Sequence, residues 1–380
     1  MKKLQHCCKY ERKFIMKKKR DNFEDLSSFS SNSEYKKAKK AKKGKHTGLK
    51  VFLSIICVLL ILAGGGLMYM SNYLLGDLTT TTITKDREEL GIASDVISNE
   101  KITNIALFGL DARSDSFEGR SDVIIIVSLD EIHGKVKMTS ILRDSRVYMW
   151  DGYPNSGTGW DKINHAYMFG GAEGAIRVLN QNFKLDIQDY VTVNFNKTAE
   201  IVDAFGGVDI EITGDEAWAI NQNLTNLDKE DNKGKGEHNI SSYDYVGSGG
   251  MVHLTGNAAV AYMRIRSIDS DNARSDRQQK ILAAIMEKAS DLSLEEYPAM
   301  IKNICALCET SLSIADITSY VPFVMGGFEI ERYQIPGEYE NPSTGNFEGG
   351  GWMWDYDLDV AAQHISEIIY EEDAKEPENP

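Results

Sequence analysis

Four arginines, Arg264, Arg266, Arg274 and Arg277, fall close together in a chain whose formal net charge is −15. Asp271 lies among them and Gln278 follows directly. Read as an extended segment, residues 262–266 point Arg264 and Arg266 to the same side, because strand side chains two apart share a face. Read as a helix, the next segment puts Arg274 and Gln278 on one stripe with Ile281 and Ile285. The stripe is apolar beyond Gln278, so Arg274 and Gln278 are expected to point where the core points. Two guanidiniums about 6 Å apart repel by roughly 3 kcal/mol at an effective dielectric near 20. Arginines turned inward therefore call for a multiply charged oxyanion. Arg277 lies beside the stripe and suits a surface position equally well.

A second set of candidates sits where strands begin and end. Residues 104–110 (NIALFGL) read as a buried strand that ends at Asp111. Arg120 and Asp122 precede the apolar run VIIIVSL, and residues 135–142 lead into Arg143. If consecutive strands pair as antiparallel neighbours, the end of the first, the start of the second and the end of the third share one sheet edge. That edge gathers Asp111, Arg120, Asp122 and Arg143. Asp111 and Asp122 suit a magnesium (or manganese) ion, since magnesium takes one or two carboxylates and completes its octahedron with phosphate oxygens and water. They suit a turn cap and a solvated strand end as well. Metal and arginines recur together in phosphoryl transfer, which ties the two sets into one expectation. Asp271 fits the N-cap of the helix that follows, a place that also attracts phosphate. His165 has no Ser or Cys partner at a recognisable spacing. No G-x-S-x-G, H-E-x-x-H or Walker loop is present, which argues against the common hydrolase and nucleotidase designs.

The elements that must position these residues are divided by charge. Residues 1–50 carry 17 Lys+Arg against 5 Asp+Glu, so the net negative charge belongs entirely to the remainder. Between them, the charge-free run VFLSIICVLLILAGGGLMYM is long enough, at 1.5 Å per residue, for the roughly 30 Å of a bilayer core. The long basic flank before it favours an uncleaved anchor over a signal peptide. Lys-rich flanks stay in the cytoplasm, so the acidic portion is expected outside. The reading is a basic disordered tail (1–50), a single transmembrane helix (51–72) in the cytoplasmic membrane, an extracytoplasmic spacer (73–100), one α/β domain (101–370) and an acidic tail (371–380). The basic tail suits anionic lipid better than nucleic acid, and no nucleic-acid partner is expected.

Within the domain, alternating strand and helix patterns predict a central mixed sheet flanked by helices. Helices are expected around 172–182, 197–205, 255–263, 279–290, 294–309, 316–325 and 358–370, and strands at 190–195 and 328–335. Residues 214–250 read as a long polar surface insertion. Cys305 and Cys308 form a C-x-x-C inside a helical pattern, which suits packing, with a disulfide as the alternative outside the cell.

Seven segments in order resemble the LytR-CpsA-Psr family: NIALFGLDAR (104–113), GRSD (119–122), SILRD (140–144), KINHAY (162–167), FGGV (205–208), YMRIR (262–266) and residues 271–278. The resemblance covers about residues 100–290. It implies a membrane-anchored phosphotransferase that moves a glycopolymer (teichoic acid, capsule or a related secondary polymer) from a polyprenyl-pyrophosphate carrier to a peptidoglycan sugar hydroxyl, forming a phosphodiester. It also implies an α/β domain with a long apolar cleft for the polyprenyl tail. By the same resemblance, Asp111 and Asp122 match the magnesium-associated carboxylates. Arg120, Arg143, Arg264, Arg266, Arg274 and Gln278 match the pyrophosphate-binding set, with Asp271 beside them. Leu142 departs from the family's usual proline, and Arg143 is expected to keep its place. Arg146 is a further candidate for phosphate contact. A non-catalytic holder of lipid-linked polymer is the alternative, against which the retention of both aspartates and the arginines argues. A transcriptional attenuator is disfavoured because the tail has no helix-turn-helix pattern.

Overall fold

The computed structural model describes residues 81–110, 117–150, 159–231, 239–347 and 351–371. The tail, the expected transmembrane span, Asp111 and most of the acidic tail lie outside the described residues. Among the described residues, no helix is long and apolar enough to cross a membrane.

The chain opens with β1 (Ile102–Leu110), β2 (Ser121–Asp130) and β3 (Lys135–Ile141), then a small ladder of β4 (Arg146–Tyr148) and β5 (Trp160–Lys162). Helix α1 (Asn164–Phe183), β6 (Asp189–Asn194), α2 (Phe195–Ala204), β7 (Val208–Ile212) and α3 (Gly214–Asp231) follow. Next come β8 (Gly250–Leu254), α4 (Gly256–Met263), α5 (Asp271–Ser290) and α6 (Tyr297–Cys305). The chain then forms β9 (Cys308–Thr310), α7 (Ile314–Met325), β10 (Glu329–Ile335), β11 (Ser343–Phe347), β12 (Gly351–Asp355) and α8 (Leu358–Tyr370).

Six strands form one mixed sheet in the order β10-β3-β2-β1-β6-β9. The first three are the antiparallel meander expected from their spacing, while β6 joins β1 and β10 joins β3 in parallel. Helices cover both faces, so β2 is apolar on both. Ile124 and Ile126 pack with α1 and α8, whereas Val123, Ile125 and Val127 pack with α2, α3, α4 and α5. A strand buried on both faces reads as a continuous apolar run, as VIIIVSL does. Helix α5 is pinned by Gln279, whose Nε2 donates to the carbonyls of Met138 (3.2 Å) and Tyr333 (2.6 Å) on β3 and β10. That clamp fixes the neighbouring Gln278 and the helix turn carrying Arg274.

Several elements differ from the sequence reading. The expected insertion 214–250 begins with the 18-residue helix α3. Its polar composition hides a buried stripe at Ala217, Ile220, Leu224 and Leu227, and Thr213-x-x-Glu216 is a capping box. The helix expected over 294–309 stops at Cys305, and Cys308 lies in β9, so the C-x-x-C does not share a helix. Helix α1 already begins at Asn164 and kinks at Gly171, where a positive φ of 62° breaks it. The β11–β12 hairpin had no counterpart in the expectation.

Candidate active site

Asp122 stands at the start of β2 and collects the arginines. Its Oδ2 accepts from Arg143 Nη1 (3.1 Å), Arg266 Nη2 (3.3 Å) and Arg274 Nη2 (3.3 Å). Arg143 reaches it from the end of β3, Arg266 from the turn after α4, and Arg274 from the first turns of α5. Beside them Asp144 accepts from Lys162 Nζ (2.7 Å) and Arg143 Nε (3.4 Å). Among the described residues, four cations thus meet two carboxylates, an excess of positive charge. Arg274 is 4 % exposed and Gln278 6 %, as the stripe predicted. Burial, and next the Arg266 charge, hold the Arg274 guanidinium below its ordinary pKa.

Asp122, Asp144, Arg143, Arg274, Ser275, Gln278 and Trp354 line one pocket. Among the described residues, Arg274 Nε and Gln278 Nε2 are buried there without a hydrogen-bond partner. An unpaired buried donor costs about 1–3 kcal/mol, and more when it is charged. Two orphaned donors in the pocket, with Arg266 and Lys162 adding positive charge beyond its lining, fit an oxyanion with several oxygens. Leu142 in place of proline leaves Arg143 within reach of Asp122.

The pocket adjoins an apolar cleft of about 210 Å³ between the sheet and α5. Val123 and Gln278 line both cavities. Leu107, Val191, Met263, Ile281 and Ile285 are among the walls of the cleft. The approach of β1 to β2 here depends on Gly109, where an added Cβ would lie 2.7 Å from Val123 Cβ, and the ladder bulges between Gly109 and Leu110. Cys308 is also in the cleft wall. Burial pushes the Cys305 thiol up to about 11 and the Cys308 thiol up to about 12, and both are free. Since the thiolate is the reactive form, iodoacetamide at pH 8 is expected to leave both unmodified in the folded protein and to label both after unfolding, read by mass spectrometry of their peptide.

Other candidates are placed differently. Arg264 is half-buried and caps α4 with helical dihedrals (φ −90°, ψ 0°), so it does not share an extended face with Arg266 and is not among the pocket-lining residues. Tyr262 and Met263 are still helical, which breaks the strand alternation assumed for 262–266. Arg120 is exposed and is not among the pocket-lining residues. Asp271 is the first residue of α5, and the N-cap is Ser270, whose side chain accepts from Ala273 N. Arg277 is no surface residue: it is 2 % exposed and bonded to Glu216 (2.9 Å) and to both oxygens of Asp269. Helix α3 delivers Glu216, so that pairing was invisible while 214–250 was read as a loop. Arg146 pairs with Asp355 (3.0 Å) and stacks over Trp160, which commits it to the C-terminal hairpin. His165 is bonded to Asp161 (2.8 Å) inside the fold. Asp144, Lys162 and Trp354 were not singled out, although the first two lie within the SILRD and KINHAY segments.

For a divalent cation, the described part of this pocket offers Asp122, with one oxygen already facing three guanidiniums, while Asp144 has one oxygen on Lys162 and the other on Arg143. One carboxylate suffices only if substrate oxygens supply most of the remaining ligands. The residues therefore fit magnesium together with an anion, not a metal held by protein alone. A second group of potential ligands, Asp130, His133 and Glu371, lies at the opposite end of β2. Lys137 Nζ stands 2.8 Å from both Asp130 Oδ2 and Glu371 Oε1. A fixed ammonium already neutralises that group, and we read it as structural.

The LytR_cpsA_psr family matches residues 67–368, more than half of the chain. The chain belongs to this family. Among its LytR_cpsA_psr relatives, the polyisoprenyl-teichoic acid–peptidoglycan teichoic acid transferase TagU of Halalkalibacterium halodurans is 31 % identical over 247 residues, 64 % of this chain and 72 % of the relative. The corresponding transferase TagT of Bacillus subtilis is 29 % identical over 62 % of this chain and 69 % of its own. A solved structure of the family protein YwtF (TagT) with bound octaprenyl pyrophosphate lipid superposes with a TM-score of 0.52 at 21 % identity, over 76 % of this chain and 99 % of that one. This last likeness establishes the shared α/β fold.

Proposed function

We propose that the protein is a membrane-anchored phosphotransferase that moves a glycopolymer from a polyprenyl-pyrophosphate carrier to a sugar hydroxyl of peptidoglycan. The observation that carries the proposal is the junction at Gln278. An arginine-bearing pocket with orphaned donors opens onto an apolar cleft, which is the polarity of a pyrophosphate attached to an isoprenoid chain. Related transferases act between polyisoprenyl-teichoic acid and peptidoglycan, as their names state. The polymer here is a teichoic acid, capsule or related secondary polymer. Anchoring by residues 51–72 would hold the domain outside the cytoplasmic membrane, where such a lipid is presented.

In the reaction, the acceptor hydroxyl oxygen forms a bond to the glycan-side phosphorus. The bond from that phosphorus to the bridging oxygen breaks, and polyprenyl phosphate leaves with the electron pair. The hydroxyl proton passes to a carboxylate at the pocket, which Asp122 and Asp144 line. Arg143, Arg266 and Arg274 stabilise the charge growing on the leaving phosphate, where fixed cations cost no reorganisation. Magnesium, when bound with the substrate at Asp122 and, by the family pattern, Asp111, supplies further neutralisation of phosphate oxygens.

The test uses the full chain in detergent with a synthetic polyprenyl-pyrophosphate glycan, peptidoglycan fragments and magnesium. A covalent phosphodiester product, lost in Arg274→Ala, is the expected result. Tight binding without product, indifferent to chelator, would instead identify a holder of lipid-linked polymer. Asp122→Asn separates charge from chemistry. Removing the one negative charge among three guanidiniums should leave magnesium-free binding of the pyrophosphate lipid equal or tighter, while transfer falls by about 10²-fold.

A further inference from the structure

We propose that the C-terminal hairpin β11–β12 forms a sugar subsite, in which Trp354 and Trp352 hold the first sugar bonded to the pyrophosphate. The inference rests on the phosphotransferase reading and assigns the glycan end of the same substrate.

The pocket has two ends. At one, Val123 and Gln278 open into the apolar cleft, so the isoprenoid leaves on that side. The lining also includes Asp144 and Trp354, and Trp354 is the hairpin's contribution. A sugar esterified to the second phosphate is one oxygen away from the arginines and cannot occupy the cleft that the isoprenoid fills. It must lie by the walls that remain.

Those walls have the chemistry of a sugar site. Along β12, Met353 is fully buried, and its neighbours Trp352 and Trp354 therefore share the opposite face. Their rings meet edge to face at 5.4 Å, and Trp352 is 42 % exposed. An indole face packs against the apolar C–H face of a pyranose, while charged groups beside it bind hydroxyls. Asp144 and Lys162 supply such groups.

The hairpin is also held rigidly to the arginine-bearing loop. Trp354 N donates to the Asp144 carbonyl (3.0 Å), and Ser145 bridges to Trp354 in parallel register. Arg146, three residues after Arg143, pairs with Asp355 and stacks between Trp160 (4.6 Å) and Phe347 (5.3 Å). The distance from the indoles to the phosphate site is thus set by one short stretch of chain, as a subsite for a directly bonded sugar requires.

Two probes test the proposal on the full chain in detergent: polyprenyl pyrophosphate, and the same lipid carrying one N-acetylhexosamine. Calorimetric dissociation constants are compared for wild type, Trp354→Ala, Trp354→Phe and Trp352→Ala, with melting temperatures as the check on folding. Wild type is expected to bind the glycosylated lipid about tenfold or more tightly than the bare one. Trp352→Ala, outside the pocket lining, should lose part of that preference with little change for the bare lipid; Trp354→Ala should weaken the glycosylated lipid more than the bare one, and Trp354→Phe should do so less. Equal binding of the two lipids by wild type, or equal weakening of both by Trp354→Ala in a folded variant, overturns the subsite. So does an effect confined to KM for the peptidoglycan fragment, which would make this the acceptor's place. If wild type binds neither lipid, the functional reading falls and the subsite with it.

Discussion

Arg274→Met is expected to lower kcat/KM for the lipid-linked glycan by about 10²–10³-fold, the effect of removing one preorganised donor from a charge-stabilising site. It is not expected to lower the melting temperature. The sign follows from the guanidinium's environment. Its pKa is held below the ordinary value by burial and by Arg266, so folding disfavours its charged form. Replacing it with an unbranched apolar side chain removes that cost along with the orphaned Nε. Asp122 keeps Arg143 and Arg266 as partners. Activity falling while stability holds or rises is the signature of a residue placed for its ligand. Differential scanning calorimetry beside single-turnover kinetics checks both halves. A large drop in melting temperature would show that Arg274 serves the fold.

Arg277→Ala is expected to do the reverse. The residue is three positions further along the same helix and about as buried, but it bonds two carboxylates, Glu216 and Asp269, whereas Arg274 shares one oxygen of Asp122 with two other arginines. Although burial alone would lower its pKa, Asp269 and Glu216 hold it above the ordinary value. Breaking a buried pair by removing one partner costs about 3–5 kcal/mol, because the other charge stays behind. For a domain of this size that corresponds to a fall in melting temperature on the order of 10 °C. The pH dependence gives a second readout. Burial by itself would raise the Glu216 pKa, yet the Thr213 N–H and Arg277 hold it below the usual carboxylate value. Its stabilising contribution in wild type is therefore complete above the unfolded value near ~4.3 and is lost as pH falls through the lower folded one. Without Arg277 the buried carboxylate is better protonated. The stability gap between variant and wild type should narrow as pH drops below about 5. Adding Glu216→Leu to a variant Arg277→Met should recover part of the loss, since well-packed apolar groups can replace a buried pair. A gap independent of pH would remove Glu216 as the cause.

The sequence by itself determined the meander and the place of its sheet edge. Consecutive strands joined by a ten-residue loop and a four-residue turn pair most simply as antiparallel neighbours, which brings Asp122 and Arg143 to one edge. It also determined the inward face of α5. A helical period fixes which residues share a stripe, and Ile281 marks the stripe of Arg274 and Gln278 as buried. The family could be read in the same way, because its segments are local and lie in order.

Tertiary structure alone decided which arginines serve the pocket. Arg274 and Arg277 have the same type and similar burial, and they differ in how fully carboxylates satisfy them: Arg274 shares one oxygen of Asp122 with two other arginines, whereas Arg277 bonds Glu216 and both oxygens of Asp269. Glu216 reaches Arg277 from α3, some sixty residues earlier in the chain. Nothing local to residues 271–278 encodes that. The capping box and the buried stripe of α3 were present in the sequence, but its polar composition masked them. Arg264 and Arg266 were separated because Arg264 closes α4 with helical dihedrals in place of the extended conformation the reading gave it. The hairpin beside the pocket is the clearest case. Its tryptophans acquire meaning only from the contacts of Trp354 with residues 144 and 145, and contacts between distant segments leave no periodic trace in the chain.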